Sequence, residues 1–90
     1  MATAITTSVD DSGTAQTLKS ANSNRLGLWI FNDSDQILYI KFDGTATTTD
    51  FAVEIAAGGF WECPRPVLVQ AVSGIWAAGS TGAAKVTEVT

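Results

Sequence analysis

The segment LGLWIFNDSDQILYIKF, residues 26–42, contains two apolar runs around a polar island. A half-buried strand alternates apolar and polar side chains, but each of these runs is apolar on both of its faces. The first run opposes aliphatic side chains to aromatic rings: Leu26, Leu28 and Ile30 against Trp29 and Phe31. The second run also has two apolar faces, and each of them mixes aliphatic and aromatic side chains: Ile37 and Tyr39 against Leu38, Ile40 and Phe42. The pattern predicts a hairpin with more apolar surface than a small domain easily covers.

Short strand-like segments separated by turn residues fill the rest of the chain, and none shows the spacing and capping signals of a helix. The predicted strands are residues 4–9, 14–20, 25–32, 36–42, 51–55, 60–63, 67–72, 75–78 and 83–89. The predicted turns include 10–13, Ser73-Gly74 and 79–82. This spacing predicts an all-β fold: a small antiparallel β-sandwich or barrel, jelly-roll-like, with about 7–9 short strands.

The chain length of 90 residues predicts one domain. We assign residues 24–90 to a single β domain. Residues 1–23, rich in Thr, Ser and Ala, are either an N-terminal arm or a frayed strand. Neither a basic segment followed by an apolar one nor an apolar run of about 20 residues is present, so we expect no secretory signal and no membrane partner.

Composition argues against several functional classes. The net charge is −4, and the five basic residues form no cluster, so we expect no nucleic-acid partner. The chain has no histidine, which is the commonest general base and transition-metal ligand. Its single cysteine, Cys63, is expected to be a small buried hydrophobe. We therefore expect no enzyme, no catalytic residue, no metal and no cofactor.

The acidic residues lie in short polar segments that resemble turns. Asp33 and Asp35 in NDSD provide too few oxygens for calcium, which takes six to eight. The segment is expected to be a hairpin loop in which the side chains of Asn32, Ser34 and the two aspartates bond the local backbone. The pairs Asp10-Asp11 and Asp43/Asp50 are expected to be solvated turn residues. AAGGF lacks the helix and lysine of a phosphate-binding loop, and no G-x-S-x-G motif occurs.

The second apolar face of the 26–42 segment predicts an interface. Large exposed apolar patches mark interaction sites, and Trp and Tyr are enriched where proteins meet. We expect neighbouring copies or a larger assembly to cover this face. The interface candidates are Trp29, Phe31, Tyr39 and Trp61, for which burial in the core is the alternative.

Three segments carry a resemblance to a known family: NRLGLWIFNDSDQILYIKF, AAGGFWE and SGIWAAGSTGAAKVTEVT. Their order is an Arg-led strand, an Asn-x-Ser turn, a Leu-Tyr-Ile strand, a Gly-Gly-x-x-Glu step, a Gly-Ile-Trp-Ala strand and a terminal Val-Thr-Glu strand. This order resembles small virion structural proteins of tailed bacteriophages, of the capsid decoration or cement type. The resemblance covers most of residues 24–90. The family often has proline before Gly-Gly, where this chain has Ala57.

The resemblance implies a non-enzymatic protein on the capsid surface of a virion, made in the host bacterial cytoplasm. It would bind the major capsid protein and copies of itself, as a trimer or dimer, and stabilise contacts between capsid subunits. One alternative is a tail, baseplate or head-fibre subunit. Another, of a different class, is a carbohydrate-binding module that stacks sugars on its tryptophans.

Overall fold

A computed structural model describes residues 2–90, which form eight antiparallel strands in two facing sheets. The strands are β1 (Ala4–Asp10), β2 (Gln16–Lys19), β3 (Gly27–Ser34), β4 (Leu38–Phe42), β5 (Val53–Ile55), β6 (Phe60–Glu62), β7 (Val72–Trp76) and β8 (Gly82–Val89). The predicted all-β sandwich is confirmed. Because Thr, Val, Ile and aromatic residues dominate these segments, they suit a pleated, half-buried backbone.

The strand order identifies a jelly roll. The first sheet has the order β1-β8-β3-β6 and the second sheet the order β2-β7-β4-β5. In each paired couple β1–β8, β2–β7, β3–β6 and β4–β5 the strand numbers add to nine. The chain therefore folds as a long two-stranded ribbon that is rolled up so that successive couples fall in alternate sheets, which is the jelly-roll arrangement of two Greek keys.

The predicted hairpin between residues 26 and 42 is wrong, because β3 and β4 belong to different sheets. Leu28 and Ile30 on β3 face Leu38 and Ile40 on β4 across the core, and all four are fully buried. Each apolar run thus supplies one inner face of the sandwich. The exception is Leu26, which precedes β3 and is 55% exposed.

Asn32 fixes the point where the chain crosses between the sheets. Its buried side-chain amide donates to the carbonyl oxygens of Gln36 at 2.8 Å and Ile55 at 2.9 Å. Its backbone N–H donates to Gly59 O at 2.8 Å, and its carbonyl accepts from Gly58 N at 2.9 Å. Asn32 therefore joins β3 to the loop before β4 and to the loop after β5. Asparagine is common in turns, but here it serves to connect the two sheets.

The predicted turn at Ser73-Gly74 is wrong, since both residues lie inside β7. The predicted strand over 67–72 is also largely absent, because β7 begins only at Val72. Gly74 serves packing here: a Cβ at this position would lie 2.7 Å from the buried Leu18 side chain. Glycine lets β2 and β7 approach closely without supplying a turn.

The first 23 residues supply an edge strand to each sheet. β1 pairs with β8 over its whole length, and β2 pairs with β7. Leu18 on β2 is 2% exposed and belongs to the hydrophobic core. Met1 lies outside the described residues.

Candidate functional site

Three aromatic side chains form a continuous surface on the outside of the first sheet: Trp29, Phe31 and Phe60, here named the outer aromatic face. Trp29 and Phe31 alternate on β3 with buried Leu28 and Ile30, so they point away from the core. Phe60 on β6 lies directly opposite Phe31. Phe31 is 38% exposed and Phe60 is 61% exposed.

Polar groups surround this apolar centre. The strand register places Glu62 opposite Trp29, and Lys85 on β8 opposite Phe31. Asp33 continues the same face of β3 toward its end and is exposed. An apolar centre with a charged rim is the usual anatomy of a protein-binding surface.

The four interface candidates predicted from the sequence do not lie together. Trp29 and Phe31 share the outer aromatic face. Trp61 pairs with Ile30, faces the core and packs on Phe42 with ring centroids 5.8 Å apart. Tyr39 lies on the outside of the second sheet, with its ring centroid 4.8 Å from that of Phe51.

Phe60 is the surface residue that the sequence analysis missed. Its signal was the alternation in FWE: once Trp61 faces the core, Phe60 must face outward. Trp76, the third tryptophan, is 1% exposed in the core, so the tryptophans do not form a shared platform. Its indole nitrogen has no hydrogen-bond partner among residues 2–90.

A buried arginine organises the end of the sandwich away from the 34–37 crossing. The guanidinium of Arg25 donates through Nε to Glu88 Oε2 at 2.8 Å. Nη1 donates to the carbonyl oxygens of Leu68 at 2.8 Å and Gln70 at 2.9 Å, and Nη2 donates to Ser20 O at 2.8 Å. The planar fork thus holds strand β8 and two loops in one arrangement.

The Arg25–Glu88 pair controls the ionisation of Glu88. Burial raises the pKa of this carboxyl, but the hydrogen bonds from Arg25 and Asn22 and the Arg25 charge outweigh burial and lower the pKa below the ordinary glutamate value. The carboxylate is therefore held ionised by partners that are themselves internal. This is the chemistry of a structural ion pair, since a general acid would need a raised pKa.

The remaining polar groups are mostly held by neighbours. Asp35 accepts a 2.7 Å bond from Thr81 N–H, and Asp50 pairs with Lys41 at 2.7 Å. Cys63 is 6% exposed and belongs to the core, as predicted. Over residues 2–90 no three His, Cys, Asp or Glu residues lie close enough together to hold a metal ion.

One open groove lies between β1 and β8 on one side and β2 on the other. Its volume is about 350 Å³, and Thr7, Lys19 and Glu88 contribute to its lining. Hydroxyl, amide and charged groups dominate the lining, and Glu88 is already engaged by Arg25. The groove therefore offers a polar surface and no assembled reactive group.

Comparison with known proteins yields no identification. No family model matches the chain, and no curated protein matches it. In the part of the chain that the structure describes, no helix has the length and apolar character needed to cross a membrane.

Proposed function

We propose that this chain is a non-enzymatic virion structural protein that decorates or cements a bacteriophage capsid. The outer aromatic face carries the proposal, because it is the part of the fold where large apolar side chains remain exposed side by side on one regular sheet. Covering it with a capsid subunit would remove from water a surface that is otherwise unfavourable.

The size of this effect suits an added contact in an assembly. Burying a large apolar side chain contributes roughly 1.5–3 kcal/mol before association costs are subtracted. Phe60 is 61% exposed and Phe31 38% exposed, so Phe60 retains more than half of that contribution for a partner and Phe31 a smaller part. Repeated over many joints of a shell, weak individual contacts add up to substantial stabilisation of the particle.

The sequence segments that carry the resemblance also contribute residues that stabilise the fold. Arg25, Asn32, Ser34 and the Gly58-Gly59 step all take part in the internal hydrogen bonds of the jelly roll. Jelly rolls occur in viral capsid proteins, and also in lectins and cupins, so the fold agrees with a virion role by analogy only.

The first test is quantitative mass spectrometry of virions purified from the source of the gene. A capsid decoration protein would be present in numbers comparable with the major capsid protein. A tail, baseplate or head-fibre subunit, which shares the fold, would be present in a handful of copies. Absence from purified particles would contradict both.

The second test addresses the surface. Purified chain would be mixed with particles that lack it, and cosedimentation and the temperature of genome release would be measured. We expect Phe60→Ser to weaken association and to abolish the rise in release temperature. Leu68→Ser is the matched control, because Leu68 is an exposed apolar side chain in the loop between β6 and β7, outside the strands that carry this face. Equal effects of the two changes would contradict the assignment.

A second candidate function is carbohydrate binding, favoured by the outer aromatic face with Glu62 and Lys85 beside it. Aromatic faces stack on sugar rings, and polar neighbours can bond the hydroxyls. A glycan array with the wild-type chain and Trp29→Ala distinguishes the candidates. A positive signal that Trp29→Ala removes would favour this function over capsid decoration.

A further inference from the structure

The four edge strands of the sandwich differ in their protection against pairing with another strand. Proteins blunt such edges by making them short or by adding proline, lysine or a bulge. β5 and β6 have three residues each, and Pro64 soon follows β6. β2 has four residues, an irregular register and a terminal Lys19. β1, by contrast, has seven residues without proline or lysine and pairs with β8 in unbroken register.

The free side of β1 presents a regular row of backbone groups. Thr3 and Thr90 exchange both backbone hydrogen bonds, at 2.8 and 2.9 Å. Asp11 N–H donates to Gly82 O at 3.0 Å. Because antiparallel pairing alternates, the odd-numbered residues of β1 bond β8 and the even-numbered ones face outward. The residues with outward N–H and C=O groups are Ala4, Thr6, Ser8 and Asp10.

The core-facing side of β1 is accessible near Ile5, whereas Val9 farther along that side packs partly against the core. Ile5 lies on the core side of the first sheet, directly opposite Glu88, yet it is 56% exposed. The open groove separates this part of β1 from β2, so the second sheet leaves Ile5 uncovered. An incoming strand would meet neither a covering loop nor a covering sheet at this edge.

We infer that β1 pairs antiparallel with β1 of a second copy, which joins the two first sheets into one continuous sheet. The two-fold axis passes between the two Thr7 residues, so the outward backbone groups of Ala4 and Thr6 meet those of Asp10 and Ser8 in the other copy, on both sides of the axis. The opposing side chains, one from each copy, are Ala4 with Asp10, Ile5 with Val9, and Thr6 with Ser8.

The sequence of β1 favours its own copy as the occupant. In this register Ile5 meets another β-branched side chain, and hydroxyl meets hydroxyl at Thr6 and Ser8, which are favourable cross-strand pairs. The two Asp10 carboxylates lie at opposite ends of the joined strands, so they do not repel each other. The inference concerns the free edge of β1 and does not depend on what the outer aromatic face binds.

The mass in solution is the first test, measured by light scattering or sedimentation over a wide concentration range. We expect twice the 9.4 kDa of one chain. Ser8→Pro removes an outward N–H donor and no bond to β8, so it should halve the mass while circular dichroism stays that of a folded sheet. Ser8→Ala, which keeps the N–H, should remain a dimer. A wild-type monomer, or an oligomer that Ser8→Pro leaves intact, would overturn the inference.

Cross-linking tests the register independently of whether Ser8→Pro folds. Thr7→Cys places two thiols in a directly opposed, non-hydrogen-bonded pair, where the Cα atoms are about 4.5 Å apart and a disulfide can form. In Ala4→Cys the two thiols are about 20 Å apart, because six residues separate them along the strands. Mild oxidation should link Thr7→Cys chains covalently and leave Ala4→Cys chains unlinked. Equal linking, or none at Thr7→Cys, would refute the proposed pairing.

Discussion

Replacing Arg25 by methionine should destabilise this protein more than any surface change. Methionine keeps an unbranched apolar chain but removes four hydrogen-bond donations to Glu88 and to three backbone carbonyl oxygens. Glu88 would then be a largely buried carboxylate without its cation, and the three carbonyls would lose their donor. Leaving buried polar groups unpaired costs more than the net value of the bonds themselves.

The expected magnitude follows from the burial of the pair. The Arg25 side chain is fully buried and the Glu88 side chain is 10% exposed, so solvent screens their interaction little. Removing one partner of a buried pair costs about 3–5 kcal/mol. A chain of 90 residues has a free energy of unfolding of roughly 5–14 kcal/mol, so the loss would be a large fraction of it.

Urea denaturation followed by tryptophan fluorescence measures this loss, and the chain contains its own control. Lys41 and Asp50 form an ion pair of 2.7 Å, but their side chains are 31% and 66% exposed. Lys41→Met should therefore cost no more than about 1 kcal/mol. If Arg25→Met costs as little as Lys41→Met, the reasoning from burial is wrong. If Arg25→Met does not fold, Glu88→Gln tests the same ion pair, and the expected loss in the free energy of unfolding is smaller.

Three further predictions concern stability. Gly74→Ala should lower the free energy of unfolding by about 1–3 kcal/mol, because the new methyl group would overlap the buried Leu18 side chain. Gly13→Ala is the control and should be nearly neutral, because no atom lies within 4 Å of the new methyl group. Equal urea midpoints for the two variants would refute the packing role of Gly74. Asn32→Asp should lower the free energy of unfolding by about 2 kcal/mol or more, since a carboxylate cannot donate to the carbonyl oxygens of Gln36 and Ile55. A calorimetric melting temperature unchanged from wild type would contradict the role of Asn32 in joining the two sheets. The pKa of Glu88 is lower in the folded chain than in the unfolded chain, so the ionised carboxylate stabilises the fold above the unfolded pKa, and this contribution is lost as pH falls through the lower folded pKa. In urea titrations Glu88→Gln, which has no carboxyl group to protonate, should lose less stability than wild type over that acidic range.

Alternation along the strands predicted the inner faces but not the sheets to which they belong. Leu28 and Ile30 were identified as a common face because every second residue of a strand points the same way. Periodicity says nothing about the partner strand, and β3 pairs with β8 and β6, which are distant in sequence. The hairpin prediction therefore failed where only non-local pairing could decide.

Two residues were misinterpreted because their types are usual in turns. Gly74 stands in a strand, since the reason for glycine there is the side chain of Leu18 on another strand. Asn32 joins the two sheets through its buried amide, a role that its place in a polar NDSD segment concealed. In both cases a tertiary contact determined the residue type, and local propensity could not reveal it.

The sequence named two of the three residues of the outer aromatic face. Trp29 and Phe31 lie on the outer side of the first sheet, whereas Trp61 faces the core and Tyr39 lies on the other sheet. β6 has only three residues beside a glycine turn, so its alternation separates Phe60 from Trp61 without saying which of them faces inward. The register with β3 is needed to decide that question.

The same strand carries both the residues that build the fold and those that we propose for binding. On β3, Ile30 and Asn32 point inward to the core and the chain crossing, while Trp29 and Phe31 point outward. The two sets alternate, so one can change without disturbing the other. A resemblance that rests on inward residues consequently predicts the jelly roll more strongly than it predicts the partner. Evidence for a capsid partner must therefore come from changes at Trp29, Phe31 or Phe60 that alter particle binding and leave the free energy of unfolding nearly unchanged.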